Sequence, residues 1–181
     1  ANYFEELIIS TGATYDHEIE TTAQYLNNRK HRFTFLHCVT IYPTPLDKLD
    51  LSRIDYLRQF SPTVGFSDHT LVSRDGIKAA AGALHYGAEV IERHFTILEV
   101  DQTKDGPVSI TPALLKKLAD ISRIGREELK GYVEANIPEY ETMLGNSQRE
   151  LSAEELLNRD YYRGRFATKT PDEKIIYNWE K

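Results

Sequence analysis

The segment GFSDHTL at 65–71 runs from apolar residues into Ser67, Asp68, His69 and Thr70. VIERHFTIL at 90–98 repeats the pattern with Glu92, Arg93 and His94. A single histidine after an apolar run is most simply a hydrogen-bonded structural residue. Two of them, closing consecutive strand-like runs, make a shared site an equal reading. Side chains at i and i+2 of a strand point to one face, so Ser67 goes with His69 and Glu92 with His94. If both faces look into one space, His69 and His94 meet there. Two neutral imidazoles suit Mn, Fe, Co or Zn, with a hard oxygen-donating substrate completing the shell. Two protein ligands leave positions open for substrate, as metal-assisted carbonyl chemistry requires.

Other run ends carry similar groups. ELIIST closes in Ser10, Thr11 and Gly12, and FTFLHC leads through Cys38 to Thr40 and Tyr42. Ser10-Thr11-Gly12 is equally a simple turn or a phosphate contact. Tyr42, flanked by Pro43 and Pro45, is equally a packing residue or a ligand. Thr70 reads as a turn hydroxyl, His17, His31 and His85 as structural, and the lone Cys38 as a buried small hydrophobe. There is no GxGxxG or Walker pattern, and no nucleophile elbow. The AAAGA run at 79–83 reads as close helix packing.

The elements that must position these groups alternate. Strand-like runs at 6–11, 33–38, 62–67 and 89–95 are separated by helical periodicity: Ile19, Ala23 and Leu26 with Asp16 as cap; Ile54, Leu57 and Phe60; then 75–88, ending near Gly87. A further helix starts at Thr111-Pro112 and buries Leu114, Leu115, Leu118, Ile121 and Ile124. The order β-α-β-α-β-α-β-α, recurring every ~25–30 residues, predicts a parallel sheet with right-handed crossovers. Either a doubly wound sheet or part of a (β/α)8 barrel fits. In both, ligands gather at the carboxyl ends of the strands, where these polar groups fall. After Gly131 the pattern weakens into a charged, Tyr-rich stretch, read as a surface extension with one short helix near 153–158.

Composition narrows the function classes. With 181 residues, 40% hydrophobic and 28% charged, the chain is globular rather than disordered. A net charge of −6 leaves no basic footprint for nucleic acid. No apolar run approaches the ~20 residues of a membrane span, and no basic-then-apolar leader is visible. The cytoplasm is the expected location. One cysteine excludes an intrachain disulfide framework.

LIISTG, LHCVTIYPTP, VGFSDHTL and VIERHFTI, in this order and spacing, resemble the sialic acid (N-acetylneuraminate) synthase family, which includes spore-coat polysaccharide synthase-like proteins. The resemblance covers residues 5–125. It implies a TIM barrel that condenses phosphoenolpyruvate with an N-acylated hexosamine such as N-acetylmannosamine. The product is a sialic or other nonulosonic acid, and phosphate leaves by C–O cleavage. A divalent metal, Mn first with Mg or Co as alternatives, activates the sugar aldehyde. By position, His69 and His94 match the metal-binding histidines, Ser10 and Ser67 hydroxyls near phosphoenolpyruvate, and Tyr42 a sugar-side tyrosine. Thr40 stands where the family has Asn in the phosphoenolpyruvate pocket. Val108 follows Gly106-Pro107 where the family has an acid that meets the sugar, and Asp105 is the candidate substitute.

The matching blocks correspond to the last four strands of the family barrel. The expected architecture is therefore α/β, the C-terminal half of a TIM barrel over 1–132. A charged extension, or the start of a linker to a further domain, follows over 133–181. The catalytic glutamate and the lysines that hold phosphoenolpyruvate are expected in the other half, so the isolated chain is expected to be inactive. The alternatives are a related phosphoenolpyruvate aldol-type synthase using another aldose, or a silent half-barrel that binds metal or a partner chain. Open parallel edges and an uncovered inner face, with apolar residues of ELIIST and FTFLHC exposed, imply homo-oligomerisation or association with the missing half.

Overall fold

The computed structural model describes residues 4–163, 167–169, 172 and 174–177; the first three residues and the rest of the expected C-terminal extension lie outside the described residues. The elements are β1 (Glu6–Ser10), α1 (Asp16–Asn28), β2 (Arg32–Cys38), α2 (Arg53–Arg58), β3 (Thr63–Asp68), α3 (Val72–Asp75), α4 (Lys78–Tyr86) and β4 (Val90–Arg93). They continue with α5 (Pro112–Ile121), α6 (Arg126–Asn136), α7 (Tyr140–Leu144) and α8 (Ala153–Arg163), then β5 (Ala167–Lys169) and β6 (Ile175–Tyr177).

The first four strands form one sheet in the order β1-β2-β3-β4. Every pair is parallel, with Ser10 beside Leu36, Cys38 beside Ser67, and Ser67 beside Glu92. A doubly wound sheet reverses its strand order at a switch point. Here each strand adds on the same side of the last, as in a barrel wall, and the sheet curls into a four-stranded half-barrel.

Alternation assigns the two faces. Leu7, Ile9, Phe33, Phe35, Val64 and Phe66 pack outward against Ile19, Ala23 and Leu26 of α1, Ile54 and Leu57 of α2, and the alanines of α4. The inward face carries Ile8, Ser10, Leu36, Cys38, Ser67 and Glu92. At the centre of this face is Gly65. A Cβ there would sit 2.4 Å from the Val90 carbonyl and 2.5 Å from Leu36 Cδ2, so β3 and β4 pair only because the side chain is absent.

Local signals hold for the helices, with corrections. Thr111 caps α5 by accepting from the Leu114 N–H, with Pro112 in the first turn. Asp16 is not a cap. It is the first residue of α1, and its carboxylate pairs with the buried Arg53; Glu18 instead accepts from the Tyr15 N–H at 2.8 Å. Gly76, at φ +56°, separates α3 from α4 and ends the expected 75–88 helix early on its N-terminal side.

Structure also continues where the sequence pattern weakens. Leu129 and Val133 of α6, Ile137 and Met143 are buried on the α4 side of the core. The carbonyls of Met143 and Leu144 accept from Leu51 and Ser52, both at 2.9 Å. Gly82 permits this approach, since a Cβ there would lie 3.3 Å from Met143 Sδ. The expected short helix is α8, longer than its predicted span.

The expected exposure of the inner face is only partly met. Ile8 is 59% exposed, but all of Phe33–Cys38 is buried. Phe33 and Phe35 lie under the helices, and Leu36 lies across Gly65. Among the described residues no helix is long and apolar enough to cross a membrane.

Candidate metal and substrate site at the strand ends

His69 immediately follows β3 and His94 immediately follows β4, and their rings lie 5.2 Å apart at 62°. The inward parity read from the sequence is the cause: Ser67 and Glu92, two residues earlier, also meet, with the Ser67 hydroxyl donating to Glu92 at 2.7 Å. Tyr42 closes the cluster. Its hydroxyl is 3.0 Å from His69 Nε2, its ring 4.1 Å from that of His69 and 6.3 Å from that of His94. The loop carrying Tyr42 is tied down just beyond it, where the Thr44 N–H donates to the His69 carbonyl at 2.9 Å.

Cys38 lies at the floor of this cluster. Its sulfur is 3.8 Å from His69 Nδ1 and hydrogen-bonds the hydroxyls of Ser10 and Ser67. Burial pushes the thiol up to about 11 despite these bonds, so it is neither a thiolate ligand nor a nucleophile. The reading of Cys38 as a buried hydrophobe holds, but it joins three strand ends. That role has one sequence signal: Cys38 shares the inward parity of Leu36.

Burial, reinforced by the adjacent His94, lowers His69 to about 4. The ring is therefore neutral near pH 7, and its Nε2 lone pair, turned here to the Tyr42 hydroxyl, is the one a metal would take. The Val39 backbone also hydrogen-bonds the ring and helps fix its orientation. Asp105 stands beside His94, with 3.9 Å between its carboxylate and Nδ1. Two imidazoles, His69 and His94, are the residues here that could hold a divalent cation. Among the described residues no group of three or more His, Cys, Asp or Glu side chains is arranged to hold one. The remaining coordination would come from substrate or water.

The other expected residues sit on the same rim but outside the ring cluster. Ser10 Oγ accepts from the Gly12 N–H at 3.4 Å. The Thr40 hydroxyl is buried without a hydrogen-bond partner among the described residues, while its carbonyl accepts from Asn158.

Two residues of the opening motifs have a different job. Asp68 and Arg93, register partners on β3 and β4, form an ion pair on the outward face, 0% and 3% exposed. Asp68 also accepts from the Thr70 N–H and hydroxyl, and Arg93 donates to the carbonyls of Thr70 and Gly76. This network ties the turn after β3 to the last residue of β4 and so holds His69 beside His94. Removing either partner would leave a buried charge unpaired. Glu92, grouped with His94 by parity in the sequence but given no role there, lies on the inward face and accepts from Ser67.

The NeuB family model matches residues 1–133. N,N'-diacetyllegionaminic acid synthase of Campylobacter jejuni is 36% identical over 121 residues, covering 63% of this chain and 34% of that protein. The spore coat polysaccharide biosynthesis protein SpsE of Bacillus subtilis is 35% identical over 141 residues, covering 76% and 36%. The crystal structure of that SpsE superimposes with a TM-score of 0.67 at 24% identity, over 94% of this chain and 49% of that one. The N-acetylneuraminic acid synthetase of Leptospira borgpetersenii superimposes with a TM-score of 0.57 at 30% identity, over 85% and 48%. The chain spans between about a third and a half of the length of the relatives it matches.

Proposed function

Since the chain belongs to the NeuB family of sialic acid synthases, we propose that these four βα units contribute the metal and sugar side of a nonulosonate synthase active site. The reaction is a cytoplasmic condensation of phosphoenolpyruvate with an N-acylated hexosamine, N-acetylmannosamine or a close relative. What supports this reading is the convergence of Tyr42, His69 and His94 at the carboxyl rim of the sheet.

In this reading His69 and His94 hold one divalent cation, Mn first with Mg or Co as alternatives, which when bound polarises the sugar aldehyde. Tyr42 orients the sugar across the two rings. Asp105, beside His94, takes a sugar hydroxyl in place of the acid replaced by Val108. The hydroxyls of Ser10 and Ser67 face phosphoenolpyruvate, with Thr40 at the edge of that pocket. A bond forms between the methylene carbon of phosphoenolpyruvate and the aldehyde carbon, whose oxygen takes up a proton. Water adds to the neighbouring C2, and phosphate leaves from C2 by C–O cleavage, so that the keto oxygen comes from that water. The glutamate and lysines that the family uses are not supplied by the strands described here, so the 181-residue chain alone is read as silent and the activity as that of the whole protein. Residues 1–132 then carry the strands of the synthase half-barrel, and the segment from 133 first packs back on it through Val133, Ile137, Met143 and α8.

The test is product analysis. The whole protein, given phosphoenolpyruvate, Mn²⁺ and a panel of N-acyl hexosamines, should release phosphate and form a nine-carbon keto acid with at least one of them. Turnover only with an unrelated aldose would favour the second enzyme reading, which the substitutions at Thr40 and Val108 motivate. No C–C bond formation with any aldose would sink both.

A further inference from the structure

α8 crosses the carboxyl rim of the sheet, and its two leucines are not what holds it there. Leu156 and Leu157 are 38% and 71% exposed, whereas Glu155 is fully buried. Its described anchors are polar, and they fall on one helix face at Glu155, Asn158 and Arg159. Glu155 takes both terminal nitrogens of Arg149, at 2.6 and 2.8 Å. Arg159 donates to both carboxylate oxygens of Glu18, at 2.5 and 2.9 Å, and to the Ala13 carbonyl at 2.6 Å, while stacking over Tyr15. The Asn158 side-chain amide donates to the Thr40 carbonyl. A cavity of about 360 Å³, lined by Thr11, His37, Cys38, Arg53, Arg149 and Leu156 among others, lies between this segment and the strand ends.

We infer that α8 is a strap that sets the positions of the two rim loops at 11–15 and 39–45, with Asn158 and Arg159 as positioning residues. Among the described contacts, the backbone of the Tyr42 loop is held on both sides of the tyrosine. Asn158 holds the carbonyl of Thr40, two residues before the tyrosine, and the His69 carbonyl holds the N–H of Thr44, two residues after it. Tyr42, whose hydroxyl reaches His69, thus lies between a backbone contact from the sheet and one from α8. Arg159 does the equivalent work on the first loop, gripping Ala13 three residues beyond Ser10. With a cavity rather than packed apolar groups beneath it, the strap depends on these few directed contacts.

This inference rests on the proposed reading only where it predicts kinetics. The first measurement is hydrogen–deuterium exchange on the whole protein. Asn158→Ala should raise exchange over residues 39–44 by about tenfold, the size expected for one lost hydrogen bond, read above all at the Thr44 N–H that donates to the His69 carbonyl, and leave β2 and β3 unchanged. Arg159→Met should do the same over 11–15, and it carries the test if Asn158→Ala does not fold. Asn158→Gln, which keeps the donor, should restore the wild-type pattern. The second measurement is kinetic: Asn158→Ala should raise KM for the amino sugar by about tenfold with kcat little changed, because the loop is displaced rather than the chemistry removed. Unchanged exchange at both loops, or an even rise across β2 and β3, would overturn the strap. A localised rise with an unchanged KM would overturn the positioning role. Absence of turnover with every aldose would count against the proposed function and leave the exchange result to decide the strap.

Discussion

At the scale of single residues, two histidines with different surroundings make different predictions. His69, neutral near pH 7 and inward, pairs with His94 across 5.2 Å. Under the proposed reading, His69→Ala or His94→Ala should weaken Mn²⁺ binding by at least about tenfold in a calorimetric titration. A double variant that binds Mn²⁺ as tightly as wild type would refute the assignment. His37 faces the other way. It is buried, donates from Nε2 to the Leu49 carbonyl at 2.6 Å, and is lowered to about 3, chiefly by desolvation. The folded state therefore binds the proton more weakly than the unfolded chain, whose imidazole titrates near ~6.5. Its contribution is fully present above about 6.5 and is lost as pH falls towards 3. The urea midpoint should drop across that window more steeply in wild type than in His37→Gln. Parallel curves would show that His37 protonation is not linked to folding.

At the scale of elements, the β3–β4 contact is the most constrained. Gly65 admits no Cβ because the Val90 carbonyl and Leu36 occupy its space. Gly65→Ala should cost about 1–3 kcal/mol, as overpacking does, and should loosen the pairing that sets His69 against His94. Denaturant unfolding reads the first effect; amide exchange in β4 reads the second. A variant as stable as wild type would mean that β4 can move away at little cost. The sequence marked both strands but not this contact, since a glycine in a strand signals close approach without saying to what. α6 was harder to see for another reason. Its buried residues, Leu129 and Val133, continued by Ile137, recur only every fourth position among charged neighbours. So thin an apolar stripe gives little periodic signal.

At the scale of the whole molecule, the parallel sheet has two outer edges, β1 and β4. Ile8 is 59% exposed on the inward face of β1, next to exposed Glu6 and Ser10. Parallel sheets are normally covered on both faces, so the 181-residue chain should associate. Sedimentation over a range of concentrations should show mass rising with concentration, and Ile8→Glu should reduce the effect. A monomer at every concentration, with cooperative unfolding, would contradict this. The driving area is smaller than the sequence implied, because the inward side chains of β2 are already buried.

The amino-acid sequence determined the succession of strands and helices, the face each strand residue takes, and the gathering of Ser10, Tyr42, Ser67, His69 and His94 at one end. Those features follow from periods of 2 and 3.6 residues and from connections that carry each parallel strand's end to the same rim. Tertiary structure alone decided which partners those residues meet. Barrel-wall order rather than a doubly wound sheet depends on where each crossover lands. Asp68 and Arg93, of opposite parity to the histidines, became a buried pair because the pairing of β3 with β4 set them in register. Asn158 reached Thr40 across 118 positions of sequence. No local period reports a contact at that separation, since only the folded path of the chain brings the two groups together.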